Sequence, residues 1–342
     1  MIWFVLASLA PVVLLLLALF SWGGWGFAAL LYISVFVYAL DRLGRSRAAV
    51  PSAPASPGLA DALSVALALG HFALLAALIA RLPDLPLAHA IATGLGLGLF
   101  MGQVTHPNAH ELIHHRSRTL RRLGTALYTS MLIGHHVSAH LRVHHVHVST
   151  AADPNSARQG QSFFAFLPRA WVGSFIEGAR AETALRQRAT QRRQGLHPYV
   201  IYVAGAAALL ALAFAWSGGA GLIALLCVCA YAQVQIFLAD YLQHYGLRRA
   251  RLPSGRVEPV GPQHSWNSPH WYSSALMLNA PRHSDHHVNP DRRFPDLHLT
   301  DQMPRLPYSV PVMAVLALCP PIWRRVMDRR VAKRMAGKTE TA

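Results

Sequence analysis

Acidic residues are scarce. Fifteen Asp and Glu stand against 31 Lys and Arg in 342 residues, and charged residues make up only 13% of the chain. The first forty residues carry no charged side chain at all. An apolar stretch of that length holds two bilayer spans of roughly 20 residues each, which excludes an ordinary soluble enzyme. The N-terminal run lacks a basic leading region and a small-residue cleavage site, and a second apolar run follows at once, so it reads as a retained span. Cysteine is sparse too. Cys227, Cys229 and Cys319 lie in apolar segments without a CxxC pair, which excludes a disulfide framework or a cysteine-zinc module. No internal repeat and no low-complexity tail is present. The formal net charge of +16 could point to nucleic acid, but the arginines sit in loops beside apolar runs, where they set membrane orientation instead. No nucleic-acid partner is expected.

The apolar runs place spans near residues 2–20, 26–40, 62–80, 87–105, 199–216 and 220–239, the second bordered by Trp22 and Trp25. The expected fold is an all-α integral membrane protein of about six transmembrane helices, one membrane-embedded domain over 1–342. The 21–25 connection is uncharged and 81–86 carries one charge of each sign, whereas Arg42, Arg45 and Arg47 follow the second run. Arg116, Arg118, Arg121, Arg122, Arg186, Arg188, Arg192 and Arg193 crowd the 106–198 region, and Arg248, Arg249 and Arg251 follow the last run. By the positive-inside rule the regions 106–198 and 240–327 and both termini are cytoplasmic, with a Ser217-Gly218-Gly219 turn outside. Pro51, Pro54 and Pro57 mark residues 50–58 as a linker. The stretch 123–139, interrupted by His135 and His136, reads as a re-entrant or interfacial helix, and 308–323 is similar.

Against these absences stand twenty histidines. They cluster as His110-Glu111-Leu112-Ile113-His114-His115, His140-Leu141-Arg142-Val143-His144-His145, Gln243-His244-Tyr245-Gly246 and His283-Ser284-Asp285-His286-His287, all on the inferred cytoplasmic side. Residues at i and i+4 share one helix face, so His110 with His114, His140 with His144, and His283 with His286 and His287 are each expected to aim at one metal. With His145 and His244, nine imidazoles are on offer, too many for one ion and enough for two. Glu111 and Asp285, lying between ligands, are read as carboxylates that accept the outer N–H of a ligand imidazole. Asp240, four residues before His244, fits either that role or a plain charge. His71 and His89 are read as hydrogen-bonded within spans. His115, His135, His136 and His147 are read as flanking the boxes, and His106, His197, His264, His270 and His298 as loop residues.

The string His110-Glu111-Leu112-Ile113-His114 also satisfies the HExxH pattern of zinc proteases, with Glu as general base, but that reading leaves two downstream boxes unused. A metal transporter would spread ligands along a pore rather than gather them at one face. The boxes resemble the membrane-bound fatty acid desaturase and hydroxylase superfamily, and within it the alkane 1-monooxygenase family. The resemblance rests on Asn108-Ala109-His110-Glu111-Leu112, Asp153-Pro154, Phe166-Leu167-Pro168-Arg169-Ala170, His244-Tyr245-Gly246, His264-Ser265-Trp266-Asn267-Ser268, Arg282 to His287, and Pro320 to Met327. His115, Ala139, Val143 and Asn279-Ala280-Pro281 depart from the family pattern, the last in a stretch bearing on the substrate pocket.

What this resemblance implies is a non-haem diiron monooxygenase of the bacterial inner membrane. It would use O2 to convert the terminal methyl of an apolar substrate, an n-alkane, to a 1-alkanol, with electrons from rubredoxin and rubredoxin reductase. The nine histidines would hold two iron ions. A xylene- or cymene-type methyl hydroxylase with a ferredoxin-type donor and a fatty acyl desaturase or hydroxylase share the same boxes.

Overall fold

A computed structural model of the chain describes residues 1–21, 23–44, 56–188 and 195–339. Trp22, Arg45, Arg47, Pro51, Pro54, Arg192 and Arg193, and most of the expected linker, lie outside the described residues. Among the described residues the chain is helical apart from loops and two isolated bridges, Arg251 with Val257 and Asn267 with Arg305. Five stretches are long and apolar enough to cross a membrane. These are Ile2–Phe20 (α1), Trp25–Leu43 (α2), Gly58–Asp84 (α3), Leu87–His114 (α4) and Pro198–His244. Between the last two lie Arg118–Ser130 (α5), a helix over 136–147 (α6) and Phe163–Arg188 (α7), so that Pro198–His244 is α8.

At 1.5 Å per residue a straight α8 would measure on the order of 70 Å, more than twice the hydrocarbon thickness of a bilayer. It breaks at Ser217 (φ −131°, ψ 19°) and Gly218 (φ 61°, ψ −154°), and the chain doubles back. Tyr202 on the first limb meets Ser138 at 3.0 Å, while Gln233 on the second donates to the Met131 carbonyl at 2.9 Å. Both limbs therefore reach one short segment, although a straight helix would hold these two residues roughly 45 Å apart. The expected turn at Ser217-Gly218-Gly219 is present, so the five apolar stretches make six limbs among the described residues. Gly218 occupies a backbone region closed to side chains bearing a Cβ.

The fourth helix runs past the end of its apolar run and carries the first histidine box on its own axis. A π-turn at Met101–Thr105 precedes Pro107, whose missing N–H an ordinary turn would leave as a gap in the ladder. At Gly102 an added Cβ would lie 2.3 Å from Cβ of Gln235, so glycine allows α4 to touch α8 beside the site. The 123–139 stretch divides into α5 and α6 around Leu132, at φ 59°. Its tip enters the bundle, where Ser130 Oγ meets His71 Nε2 at 2.8 Å and Cys229 Sγ lies 3.7 Å from the Ser130 carbonyl. That is the re-entrant alternative. His71, also 3.2 Å from Thr105, is hydrogen-bonded as expected, whereas His89 Nδ1 is buried without a partner and its ring packs on Phe27 instead.

Beyond α8 come the short helices Trp271–Leu276 (α9) and His283–Val288 (α10), then Val310–Ala317 (α11) and Pro320–Thr339 (α12). Buried Asp41 at the end of α2 accepts the backbone N–H groups of Tyr272 and Ser273, each at 3.0 Å, and Tyr32 meets the Tyr272 hydroxyl at 2.7 Å. These bonds tie the N-terminal helices to the segment leading into the last box. Trp323, Met327 and Val331 of α12 are fully buried, Val331 against Gly246 and Trp323 against Tyr241 and Tyr245.

Replacing Gly218 by Val forces a branched side chain into that closed region. The expected loss is about 1–3 kcal/mol, read as a lower unfolding midpoint in detergent, with Gly219→Val, in ordinary helical backbone, as the reference.

Candidate metal centre

The nine histidines singled out in the sequence meet at one end of the bundle and divide into two groups. His110, His114, His140, His145 and His286 form one, and His144, His244, His283 and His287 the other, with one ring nitrogen of each within 4.8 Å of the rest of its group. Helical spacing alone pairs them otherwise, and the structure corrects it twice. His140 and His144 were expected on one metal, yet they fall into different groups. The reason is the π-turn His140–His144, whose i to i+5 bond from the His145 N–H to the His140 carbonyl puts His145, not His144, in register with His140. On α10, His283 and His287 face one group as an i, i+4 pair. His286 is rotated by about 100° from His287 and faces the other. The i, i+4 pairs His110 with His114 and His283 with His287 aim as their spacing implies.

Contacts among these rings test whether a metal fits. In the group of five, His140 Nε2 lies 3.1 Å from His114 Nε2 and 2.9 Å from His145 Nε2, which is itself 3.1 Å from His286 Nε2. In the group of four, His283 Nε2 lies 3.0 Å from both His244 Nε2 and His287 Nε2. An imidazole nitrogen has a single in-plane lone pair or a single N–H, so no nitrogen can hydrogen-bond to two such neighbours at once. The Nε2 atoms of His110 and His144 are buried and meet no protein partner. The pattern fits lone pairs converging on a shared cation. Two nitrogens at about 2.1 Å from an ion are about 3.0 Å apart at a right angle and about 3.4 Å apart at the tetrahedral angle. The observed spacing fits the right angle.

Electrostatics agree with that chemistry. Burial, then the neighbouring imidazoles, hold His140, His145, His283, His286 and His287 well below the usual imidazole range, so they stand neutral as ligands must be. Burial also lowers His144, but the Asp153 carboxylate at 2.9 Å outweighs it and raises the ring's affinity for a proton. A proton on Nδ1 shared with a carboxylate leaves Nε2 free as a lone-pair donor.

Asp153 is the outer carboxylate that reading the sequence missed. Ser156 Oγ donates to it at 2.6 Å and the Asn155 N–H at 3.0 Å, while Asn155 Nδ2 donates to Asp240 at 2.7 Å. One chain thus links Asp240, Asn155, Asp153 and His144. The only local signal was the Asp-Pro-Asn turn, nine residues from His144 and out of any helical register with it. Glu111 and Asp285 take other partners, contrary to expectation. Asp285 accepts from Arg292 at 2.6 and 2.7 Å, from Asn289 at 2.9 Å and from the His298 N–H at 3.0 Å, and so anchors the loop behind the last box. Glu111 accepts the Phe294 N–H and faces Arg293. Each sits between ligands, and the helix turn aims it away from them.

His106 is not in a loop. It lies on α4, its Nδ1 meets the Tyr128 hydroxyl at 2.9 Å, and its ring packs on His136. His106 and His136 line a narrow cavity of about 40 Å3 beside the histidines, with Asp240, Met277, Pro281 and Val310. His136 is buried with neither ring nitrogen bonded. His115 meets Arg293 and Asp61, and His135 meets Ser174. His264 is buried in a loop against Glu258.

Comparison with known proteins now bears on the site. The sequence profile of the fatty acid desaturase family matches residues 84–316. Alkane 1-monooxygenase 2 of Pseudomonas aeruginosa is 36% identical over 248 residues, covering 71% of this chain and 65% of that protein. An alkane 1-monooxygenase of Ectopseudomonas oleovorans is 34% identical, covering 70% of this chain and 60% of that protein. The hydroxylase component of a xylene/toluene monooxygenase of Pseudomonas putida is 30% identical, covering 67% and 61%. The chain thus spans somewhat less than two thirds of the length of the curated relatives it matches.

The hydrogen-bonded chain behind His144 predicts that Asp153→Asn weakens metal retention by on the order of 10-fold. His71→Ala, remote from both groups, should leave retention unchanged. Metal per chain after dialysis against graded chelator distinguishes the two.

Proposed function

The chain belongs to the fatty acid desaturase family, and from that premise we propose that it is a membrane-bound diiron monooxygenase that hydroxylates the terminal methyl of an apolar substrate, an n-alkane above others. The observation that carries this reading is the division of nine imidazoles, seven buried and two half-buried, into convergent groups of five and four. Five imidazoles in one group exceed the four donors of a tetrahedral zinc site. Glu111 faces Phe294 and Arg293, which leaves the general-base position of a zinc protease unfilled. Relatives named alkane 1-monooxygenase point to the substrate class.

Bound iron would supply the redox chemistry by which one atom of O2 enters a C–H bond and the other leaves as water, as two electrons and two protons are taken up. The chain's own residues bind, orient and exclude water. His110, His140 and His283 form the histidine wall of the cavity, and Gly102, Pro107, Met277, Ala280 and Val310 its apolar side. An alkane offers no hydrogen-bonding group, so this narrow apolar wall has to orient the chain end by shape alone. Asp153 fixes the His144 ring, and the Asp285–Arg292 pair fixes the loop that follows α10.

Electrons must come from a donor in water. A groove of about 1450 Å3 near the histidine end is lined by Arg248, Arg251, Arg305, Arg330, Lys333 and Arg334 against Glu258 and Asp301. Its charge suits an acidic electron carrier of the rubredoxin or ferredoxin kind. Arg249 is turned inward, donating to the Glu258 and Val146 carbonyls, so it shapes the loop. By the positive-inside rule this end is cytoplasmic, in a bacterial inner membrane.

Purified protein should contain about two irons per chain, as a dinuclear site requires, and yield 1-alkanols from n-alkanes with O2 and a reduced carrier. His286→Ala should lower iron content and abolish turnover. About one zinc and no iron would overturn the reading, an olefin product would make the enzyme a desaturase, and turnover of methylarenes alone would favour the xylene-type substrate. Reduction by the carrier should slow steeply with added salt, and a salt-independent rate would count against docking in the basic groove.

A further inference from the structure

Helix α7 lies outside every apolar run that reads as a span, yet it carries a continuous apolar surface facing outward. At 100° per residue, Phe164, Trp171 and Phe175 fall within about 40° of one another, with Val172 and Ile176 beside them. All five are exposed, Phe164 by 58%, Trp171 by 47% and Phe175 by 42%. The neighbouring side, centred about 100° away on Phe163, Phe166, Ala170 and Ser174, is buried against the protein. A third sector is polar, with Glu177 and Arg180 paired at 2.6 Å. A soluble helix has two faces; this one has a protein face, an apolar outer face and a polar face.

Its position fixes what the apolar face meets. Phe163 and Phe166 pack on Tyr241, near the end of the second limb of α8, with ring centroids 5.6 and 5.4 Å apart. Phe175 packs on Tyr199, at the start of the first limb, at 5.1 Å, and the Tyr199 hydroxyl donates to the Phe175 carbonyl at 2.8 Å. Because the limbs are antiparallel, Tyr199 and Tyr241 stand at the same end of the hairpin. Helix α7 therefore lies across that end, at the depth where membrane-crossing helices begin and where Trp and Tyr collect. Trp171, Val172 and Phe175, with His135, also border an open groove of about 310 Å3.

We propose that α7 lies in the bilayer interface on the histidine side, its Phe164–Trp171–Phe175 stripe sunk among lipid acyl chains and its Glu177–Arg180 side in water. The occupant is lipid rather than a protein because Phe175 packs on Tyr199, which stands next to the exposed Val200, Ile201 and Val203 at the start of a helix long and apolar enough to cross a membrane. Helix α7 also touches the second histidine box from below. Ser174 meets His135 at 3.4 Å, and Glu182 accepts from Ser138 at 3.0 Å. Lipid immersion of α7 thus sets the depth at which that box sits. The inference is independent of which metal or substrate the site takes.

The test uses the full chain in phosphatidylcholine nanodiscs, with Cys227→Ser and Cys319→Ser removing the exposed thiols. Val172→Cys, labelled with an environment-sensitive fluorophore, should be quenched at least threefold more by nitroxide on lipid acyl chains than by aqueous iodide. Arg180→Cys should show the reverse order. Iodide quenching at 172 equal to that at 180 would overturn the proposal. So would protection from both quenchers, since the face would then be covered by protein. Ile176→Cys provides the same reading if Val172→Cys fails to accumulate.

Discussion

Lone pairs of neutral imidazoles repel when they point at one another, and nine imidazoles converge at one end of this bundle, seven of them with nitrogens 2.9–3.1 Å apart. Without a shared cation, that arrangement would place unsatisfied nitrogens in a buried setting, each at a cost of a few kcal/mol. With cations, the same nitrogens become the strongest tertiary cross-links in the chain, because the groups draw on α4, α6, α8 and α10 together. The fold is best understood as the scaffold this convergence requires. Of the three π-turns among the described residues, Tyr32–Phe36 lies in α2, while those at 101–105 and 140–144 lie on the helices that carry ligands, where a shift of one residue in register decides which way a ring faces.

Around the histidines the structure separates two kinds of environment. On one side is a polar shell in which carboxylates are fully engaged, Asp153 with His144, Asp240 with Asn155, Asp285 with Arg292. On the other is a cavity whose apolar residues are Gly102 and Pro107 of α4, Ala239 of α8, Met277, Ala280 and Pro281 before α10, and Val310 of α11. The polar shell keeps the rings in the tautomer and orientation a metal needs. The apolar residues of the cavity offer no hydrogen-bonding side chain beside the rings. The site lies at the bundle's end, so these two environments stand side by side there.

Membrane contact extends beyond the crossing helices. The stripe on α7 and the buried tip between α5 and α6 bring segments without a span's length into contact with lipid or with the bundle interior. Both flank the second box. Hydropathy windows miss such segments because their apolar residues are spaced around a helix rather than strung along it.

The sequence by itself determined the all-helical membrane class, the positions of the apolar crossings, and which histidines come in boxes, because each follows from local composition and period. It located the reversal at Ser217–Gly218, since glycine there is a local conformational requirement. It led to the wrong pairing of His140 with His144 and of His283 with His286. Strict 3.6-residue periodicity cannot foresee a π-turn, and a rotation of about 100° between adjacent positions sends neighbours to different groups. Glu111 and Asp285 looked like partners of the ligands because they stand beside them in sequence, yet adjacent residues on a helix point apart. Asp153 looked unrelated because its loop meets His144 only after folding. The division into groups of five and four, the carboxylate behind His144 and the outward stripe of α7 were decided by tertiary structure alone, since each depends on how elements distant in sequence cross, and no local period encodes a crossing.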